Sequence, residues 1–292
     1  MFTQFFGNFL LNEQYVTAEQ LLEAIHAKNK TRLKLGVLAI DAGYMTAEQV
    51  EEVHERQMFE DKRIGDIAVE LGYMTREQVE ELLGNQRTGY LLLGQALVDR
   101  GIMTNAQFEE AITKYKNKFR ITEDKEAISD EKAAQMVEEL CDFSYEESKL
   151  YTKYIVLLLK NLVRFIGDDF TPLNPVSGFD KKNYKSILQS IKGQFATDVA
   201  VVFSDEESML EFGNRYSNEE FDLSEMEYIE AAACDFININ NGLFTVNVSN
   251  ELNMELSLTP PEVKENELGI SGDIMVFPVQ FVFGTVNFII SK

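Results

Sequence analysis

Basic residues are scarce in this 292-residue sequence: 27 Lys and Arg stand against 49 Asp and Glu, a formal net charge of -22. A surface of that sign repels nucleic-acid backbones, so nonspecific DNA or RNA binding is excluded as a function class; a small nucleotide held in a local pocket is not. Cysteine is nearly missing. Cys141 and Cys234 stand alone, with neither a disulfide framework nor metal-ligand spacing, and they read as buried, inert thiols. The two histidines, His26 and His54, have no nucleophile or metal partner in sequence and read as surface or packing residues. Long apolar runs are absent as well. The strongest, "YIVLLLKNLVRFI", is interrupted by Lys160 and Arg164 and is too short to span a bilayer. The first 27 residues hold no Lys or Arg, so no signal-peptide n-region is expected. No G-x-x-x-x-G-K-[ST] segment occurs, which excludes a P-loop. A cytoplasmic protein without an intrinsic cofactor or metal is the expectation. The 45% hydrophobic content can fill a core, and the length suits one large domain or two smaller ones.

What is present begins with a repeat. "FGNFLLNEQYVTAEQLLEAI", "LGVLAIDAGYMTAEQVEEVH", "IGDIAVELGYMTREQVEELL" and "LGQALVDRGIMTNAQFEEAI" align without gaps, their leading glycines Gly7, Gly36, Gly65 and Gly94 falling 29 residues apart. A fixed period of this kind predicts stacked supersecondary units. Each unit reads as helix, tight turn, helix. Gly43, Gly72 and Gly101 occupy the turn, and Gln14 replaces them in the first unit; a left-handed residue ends the first helix there. The second helix opens with Thr17/Gln20, Thr46/Gln49, Thr75/Gln78 and Thr104/Gln107, four copies of a capping box.

This block resembles the MshEN domain of type II secretion and pilus ATPases, which has paired 24-residue motifs of the form RLGxxLxxxG…Q separated by five residues. The pair of units three and four places Arg63, Gly65, Gly72 and Gln86 on the first motif and Leu93, Gly94, Leu97 and Gly101 on the second. The resemblance implies cyclic di-GMP as a ligand of those residues. A guanidinium can stack on guanine and pair with phosphate. Units two and three, with Lys34, Gln57, Arg63 and Gln86, form a second candidate site. The sequence departs from the motif: Ile64 follows Arg63, the equivalents of Arg63 are Phe5, Lys34 and Leu92, and the closing Gln becomes Lys28 and Tyr115 in the outer units. The ATPase that follows this domain in its family is absent. A helical scaffold whose Leu and Gly residues only pack is the alternative.

After Tyr115 the pattern stops. A charged connector (117–145) is expected to hold one short helix from about Asp130, between the repeats (1–116) and a second domain (146–292). "YEESKLYTKYIVLLLKNLVRFIG" predicts a long helix buried against a sheet. "SILQSIKGQFATDVAVVF" predicts two strands around Gly193. Two helices follow, capped by Ser204/Glu207 and by Ser224/Glu227. Alternation in "ELNMELSLTPPEV" and two strands turning near Gly284 and Thr285 complete an α+β domain with a mainly antiparallel sheet. The Asn-rich "CDFININNG" (234–242) could end the second of these helices, making "LFTVNV" a strand. The stripe Ile229, Ala233, Phe236, Ile239, Leu243, Val246 favours a continuing helix, with Asp235, Asn238 and Gly242 on another face.

This half resembles the CheX/CheC chemotaxis phosphatases, in which a long helix carries D/S-x3-E-x2-N and a Pro follows after 21 residues. Asp235 stands at the Glu position and Asn238 at the Asn position, Pro260 follows at the expected distance, and Gly242 matches a small residue four positions after the Asn. Ala231 replaces the first motif residue, and Asp235 is one methylene shorter than Glu. The resemblance implies that Asp235 pairs with a Lys of a CheY-like response regulator, that Asn238 places the water attacking its aspartyl phosphate, and that any Mg belongs to the partner. It also hints at a homodimer. The whole then reads as a signalling protein linking cyclic di-GMP level to a response regulator, by dephosphorylation or by binding alone. A noncatalytic adaptor or flagellar-switch-type scaffold is the alternative.

Overall fold

The computed structural model describes residues 2–28, 30–84, 89–120, 130–141, 148–179 and 185–291. The chain divides into two compact units, Phe2–Ala127 and Ile128–Lys292.

The first unit is helical: α1 (Phe2–Asn12), α2 (Ala18–Lys28), α3 (Leu35–Asp41), α4 (Ala47–Gln57), α5 (Ile64–Glu70), α6 (Arg76–Gly84), α7 (Gly89–Asp99) and α8 (Asn105–Phe119). The four capping boxes all form. In the second repeat the Thr46 amide donates to Gln49 Oε1 at 2.8 Å and the Gln49 amide to Thr46 Oγ1 at 3.3 Å, and the other three match it. Gly43, Gly72 and Gly101 are left-handed at φ 66°, 74° and 67°, and Gln14 adopts the same turn at φ 59°.

The order of the repeats in space differs from their order in sequence. α7 packs on α1, α2 and α3, and α8 on α4, so the fourth repeat sits against the first two. The third repeat packs on the second, α5 on α4 and α6 on α3. Polar ties follow the same plan. Lys34 pairs with Asp99 at 2.6 Å and Lys116 with Asp41 at 2.7 Å, while Tyr44 reaches Glu81 at 3.2 Å. The aromatic cluster of Phe6, Phe9, Tyr90, Tyr115 and Phe119 draws the last repeat onto the first.

The leading glycines of the second, third and fourth repeats permit close helix approach within each of them. A Cβ on Gly94 would lie 2.3 Å from the ring of Phe108, and one on Gly65 2.8 Å from Val79. Gly94→Ala is expected to lower stability by about 1–3 kcal/mol through overpacking; an unchanged denaturation midpoint would refute that packing.

The second unit holds α9 (Asp130–Cys141) and α10 (Ser148–Phe165), then β1 (Phe170–Pro172), β2 (Val176–Ser177), β3 (Lys185–Gly193), β4 (Thr197–Phe203), α11 (Glu206–Ser217), a 3-10 turn (Leu223–Glu225), α12 (Met226–Leu252), β5 (Leu256–Leu258), β6 (Glu262–Glu265), β7 (Ile274–Phe281) and β8 (Gly284–Ser291). The strands form one antiparallel sheet in the order β1-β7-β8-β4-β3-β5, with β2 also on β7 and β6 also on β3. α12 lies on β3, α11 on β4 and β8, and α10 beside α12. On the opposite face Ala200, Val202, Val276 and Ile289, with Leu188 of β3 beside them, pack against Phe179, Leu268 and Ile270. Burial on both faces explains why β4 reads as a continuous apolar run.

Several local expectations need correction. α10 packs chiefly on α9 and α12, the Tyr154 ring meeting Phe244 of α12 and the Tyr151 ring meeting Phe195 between β3 and β4. The cap of α11 is Asp205, whose carboxylate accepts the Ser208 amide at 2.7 Å; Ser204 instead bonds the Ser208 hydroxyl. The capping box before α12 belongs to Asp222 and Glu225 on the 3-10 turn, and α12 itself starts without a side-chain cap. The last hairpin turns at Val282–Phe283, with Gly284 already paired to Phe281. By contrast, α9 (Asp130–Cys141) is the short helix expected from about Asp130 in the connector, and α8 runs on to Phe119; 121–129 and 142–147 lie outside the described residues. Cys141 and Cys234 are half-buried.

Candidate functional site

α12 runs unbroken through "CDFININNG" for 27 residues, but not for the reason the apolar stripe suggested. The stripe holds for Ile229, Ala233 and Phe236, after which Leu243 and Val246 are 37% and 55% exposed. The buried face continues instead through Ile237, Asn240, Asn241, Phe244 and Val248. Two asparagines inside a helix–sheet interface are tolerable only if their amides are satisfied, and they are. Asn161 Nδ2 on α10 donates to Asn240 Oδ1 at 2.9 Å. Tyr154 Oη, also on α10, donates to Asn241 Oδ1 at 2.7 Å. Asn241 Nδ2 donates to Gln189 Oε1 at 2.9 Å. Burial pushes the Tyr154 phenol well above its ordinary range, so it keeps its proton at neutral pH.

Gln189 is the hub. It occupies the inward row of β3 between Ile187 and Ile191, fully buried. Its Nε2 donates both to Asn238 Oδ1 and to the carbonyl of Thr259, each at 2.8 Å. Thr259 is tied to β3 twice more, its amide to Ser190 O and its hydroxyl from the Ser190 amide, both at 3.0 Å. Two motif positions far apart in sequence are thereby joined: Asn238 on α12 and Pro260, which follows Thr259. Breaking the hub would strand three polar groups, at about 1–3 kcal/mol for each buried one.

Outward from this interior, Asn238 is exposed, and its Nδ2 has no partner among the described residues. Asp235, one turn earlier, is exposed and accepts the Tyr216 hydroxyl at 2.7 Å. Burial and that carboxylate push the Tyr216 phenol up, and its ring rests on Phe236 and Phe165. Cys234 beside them has its thiol pushed up by burial, which makes it a poor nucleophile. A Cβ on Gly242 would meet nothing within 4 Å. No internal packing therefore explains a glycine inside this helix, where it costs about 1 kcal/mol relative to alanine. Among the described residues no group of His, Cys, Asp and Glu gathers as a metal site, and no helix is long and apolar enough to cross a membrane.

In the repeats, Leu93 and Leu97 are core, Gly65 and Gly94 sit under the second helix of their repeat, and Gly72 and Gly101 make turns. Arg63 is exposed at the start of α5 with no ion pair among the described residues. Lys34 is paired with Asp99, and Gln57 donates to the carbonyl of Lys62 at 3.0 Å. Gln86 lies outside the described residues. Among the described residues the third repeat packs chiefly on the second and the fourth on the first two.

Sequence reasoning missed Gln189, Thr259, Tyr154, Asn161 and Tyr216. One signal was available: a Gln between two isoleucines in the inward row of an alternating strand needs a buried partner.

No family model matches the chain, and no curated protein matches it. The solved structures to which it is similar include chemotaxis proteins. CheX from Desulfovibrio desulfuricans is 13% identical with a TM-score of 0.42, over 49% of this chain and 97% of that one. A chain of the CheX-CheY-BeF3-Mg+2 complex from Borrelia burgdorferi is 15% identical with a TM-score of 0.43, over 49% and 96%. A CheC-like superfamily protein from Shewanella sp. PV-4 is 19% identical with a TM-score of 0.41, over 48% and 95%. The likeness concerns about half of this chain, and the site described above stands on its own geometry.

Proposed function

We propose that the α+β unit hydrolyses the aspartyl phosphate of a CheY-like response regulator. The observation that carries this reading is Asn238, an exposed amide whose oxygen is tied down from inside and whose nitrogen is left for a ligand. The nitrogen donates to one lone pair of a water, and another lone pair of that water faces phosphorus. The new P–O bond forms as the bond to the receiver's carboxylate breaks. The electron pair leaves with that carboxylate, the water's proton passes to phosphate, and inorganic phosphate and free aspartate result. No covalent enzyme intermediate is needed, so positioning and electrostatics supply the rate. Asp235 engages a lysine of the receiver, and Gly242 leaves room for the receiver to approach the helix. Any Mg belongs to the receiver. The test is the decay of phosphorylated CheY-like receivers with wild-type protein and with Asn238→Ala.

For the repeats we favour the scaffold reading over a cyclic di-GMP sensor. What supports it is that Gly65, Gly94, Leu93 and Leu97 each have an internal packing role. Calorimetric titration of the folded protein at micromolar concentration with cyclic di-GMP is expected to give no heat; a saturable heat would restore the sensor.

A further inference from the structure

A backbone carbonyl can only accept a hydrogen bond. At Thr259 O, 2.8 Å from the Gln189 side chain, the facing atom must therefore be Nε2. That same nitrogen lies 2.8 Å from Asn238, and because it donates, the Asn238 atom it meets must be Oδ1. The Asn238 nitrogen is consequently the outer atom. The other end of the chain agrees. Gln189 Oε1 accepts from Asn241 Nδ2 at 2.9 Å, which leaves Asn241 Oδ1 for the Tyr154 hydroxyl at 2.7 Å. The polarity is single from α10 to the surface. The residue before a proline is confined to extended conformations, which holds the Thr259 carbonyl on this line.

We propose that Gln189 is the positioning residue that fixes the Asn238 amide with its donor face outward, and that Pro260 acts on Asn238 through the Thr259 carbonyl and Gln189. The group met by Asn238 is accordingly a hydrogen-bond acceptor: a water lone pair or a phosphoryl oxygen. This rests on the hydrolytic reading of Asn238 for its consequence in rate, but the orientation itself can be observed without activity.

The diagnostic variant is Gln189→Glu, which keeps the shape. Burial favours its protonated acid, which can still donate, so the variant is read at a pH above its carboxyl titration; there the carboxylate cannot satisfy Asn238 Oδ1, and the Asn238 amide turns its nitrogen inward. In 15N side-chain spectra of the wild type, the Gln189 NH2 protons are expected to exchange slowly with water and those of Asn238 rapidly. In Gln189→Glu, exchange at Asn238 slows at least tenfold. Receiver hydrolysis falls at least tenfold in kcat while KM for the phosphorylated receiver stays within about twofold. Slow exchange at Asn238 in the wild type overturns the proposal, as does a folded Gln189→Glu protein with unchanged Asn238 exchange. An inward turn with unchanged kcat overturns its functional half. If Gln189→Glu does not fold, the wild-type exchange rates decide the orientation. If the wild type has no hydrolytic activity, the hydrolytic reading fails while the exchange rates still decide the clamp.

Discussion

Asn238→Ala is expected to lengthen the lifetime of a receiver's aspartyl phosphate about 100-fold relative to the wild-type protein at the same concentration, a loss of the size that misplacing a reacting group produces. The reasoning is local. The Asn238 side chain is exposed and, among the described residues, makes one hydrogen bond, to Gln189. Its truncation leaves Gln189 Nε2 still bonded to Thr259 O, so the fold loses little. Surface substitutions outside special features typically change stability by about 0.5 kcal/mol or less. A large kinetic loss with a small stability change is the signature expected of a group that places a reactant. An equal loss of melting temperature and activity would instead mark Asn238 as a structural residue.

Asp235→Glu is expected to accelerate hydrolysis about tenfold, which is a gain of function. Asp235 is short, and its Oδ2 is drawn sideways to Tyr216 on α11 at 2.7 Å. Both features hold the carboxylate back from a lysine on a docked partner. One added methylene moves the carboxylate outward by about an ångström, the scale of displacement that can change a rate roughly a hundredfold. Tyr216→Phe frees the existing carboxylate and should act in the same direction with a smaller effect. Asp235→Ala should weaken receiver binding and leave stability unchanged. Stopped-flow decay of the phosphorylated receiver reads all three. A slower or unchanged rate for Asp235→Glu would show that the present length of the side chain is the functional one.

The legible parts of the structure were those written in short-range chemistry. A Thr with a Gln three residues later specifies a capping box by itself, and four copies at one period left little freedom. Gln14 could be placed in a left-handed turn because three glycines marked the equivalent position. Longer-range matters were hidden. The repeats pack in an order that their period does not encode, because the period reports the unit and not which faces are most aromatic. α12 was read as a helix from a stripe that in fact turns to solvent at Leu243 and Val246. The residues that hold it inside are Asn240 and Asn241, which composition alone assigns to a loop. Their partners lie far away in sequence, Gln189 being 52 residues from Asn241 and Tyr154 being 87. Polar pairing over such distances follows no periodicity, so Gln189 could be suspected from its inward position but not matched to Asn238 and Thr259.

The central claim is that an exposed, internally clamped amide on α12 places water against an aspartyl phosphate. The measurement that tests it most directly is the phosphate lifetime of CheY-like receivers incubated alone, with the wild-type protein and with Asn238→Ala. The account predicts a shortened lifetime with wild type and restoration close to the receiver's own rate with the variant. Equal lifetimes in the presence of wild type and Asn238→Ala would contradict it.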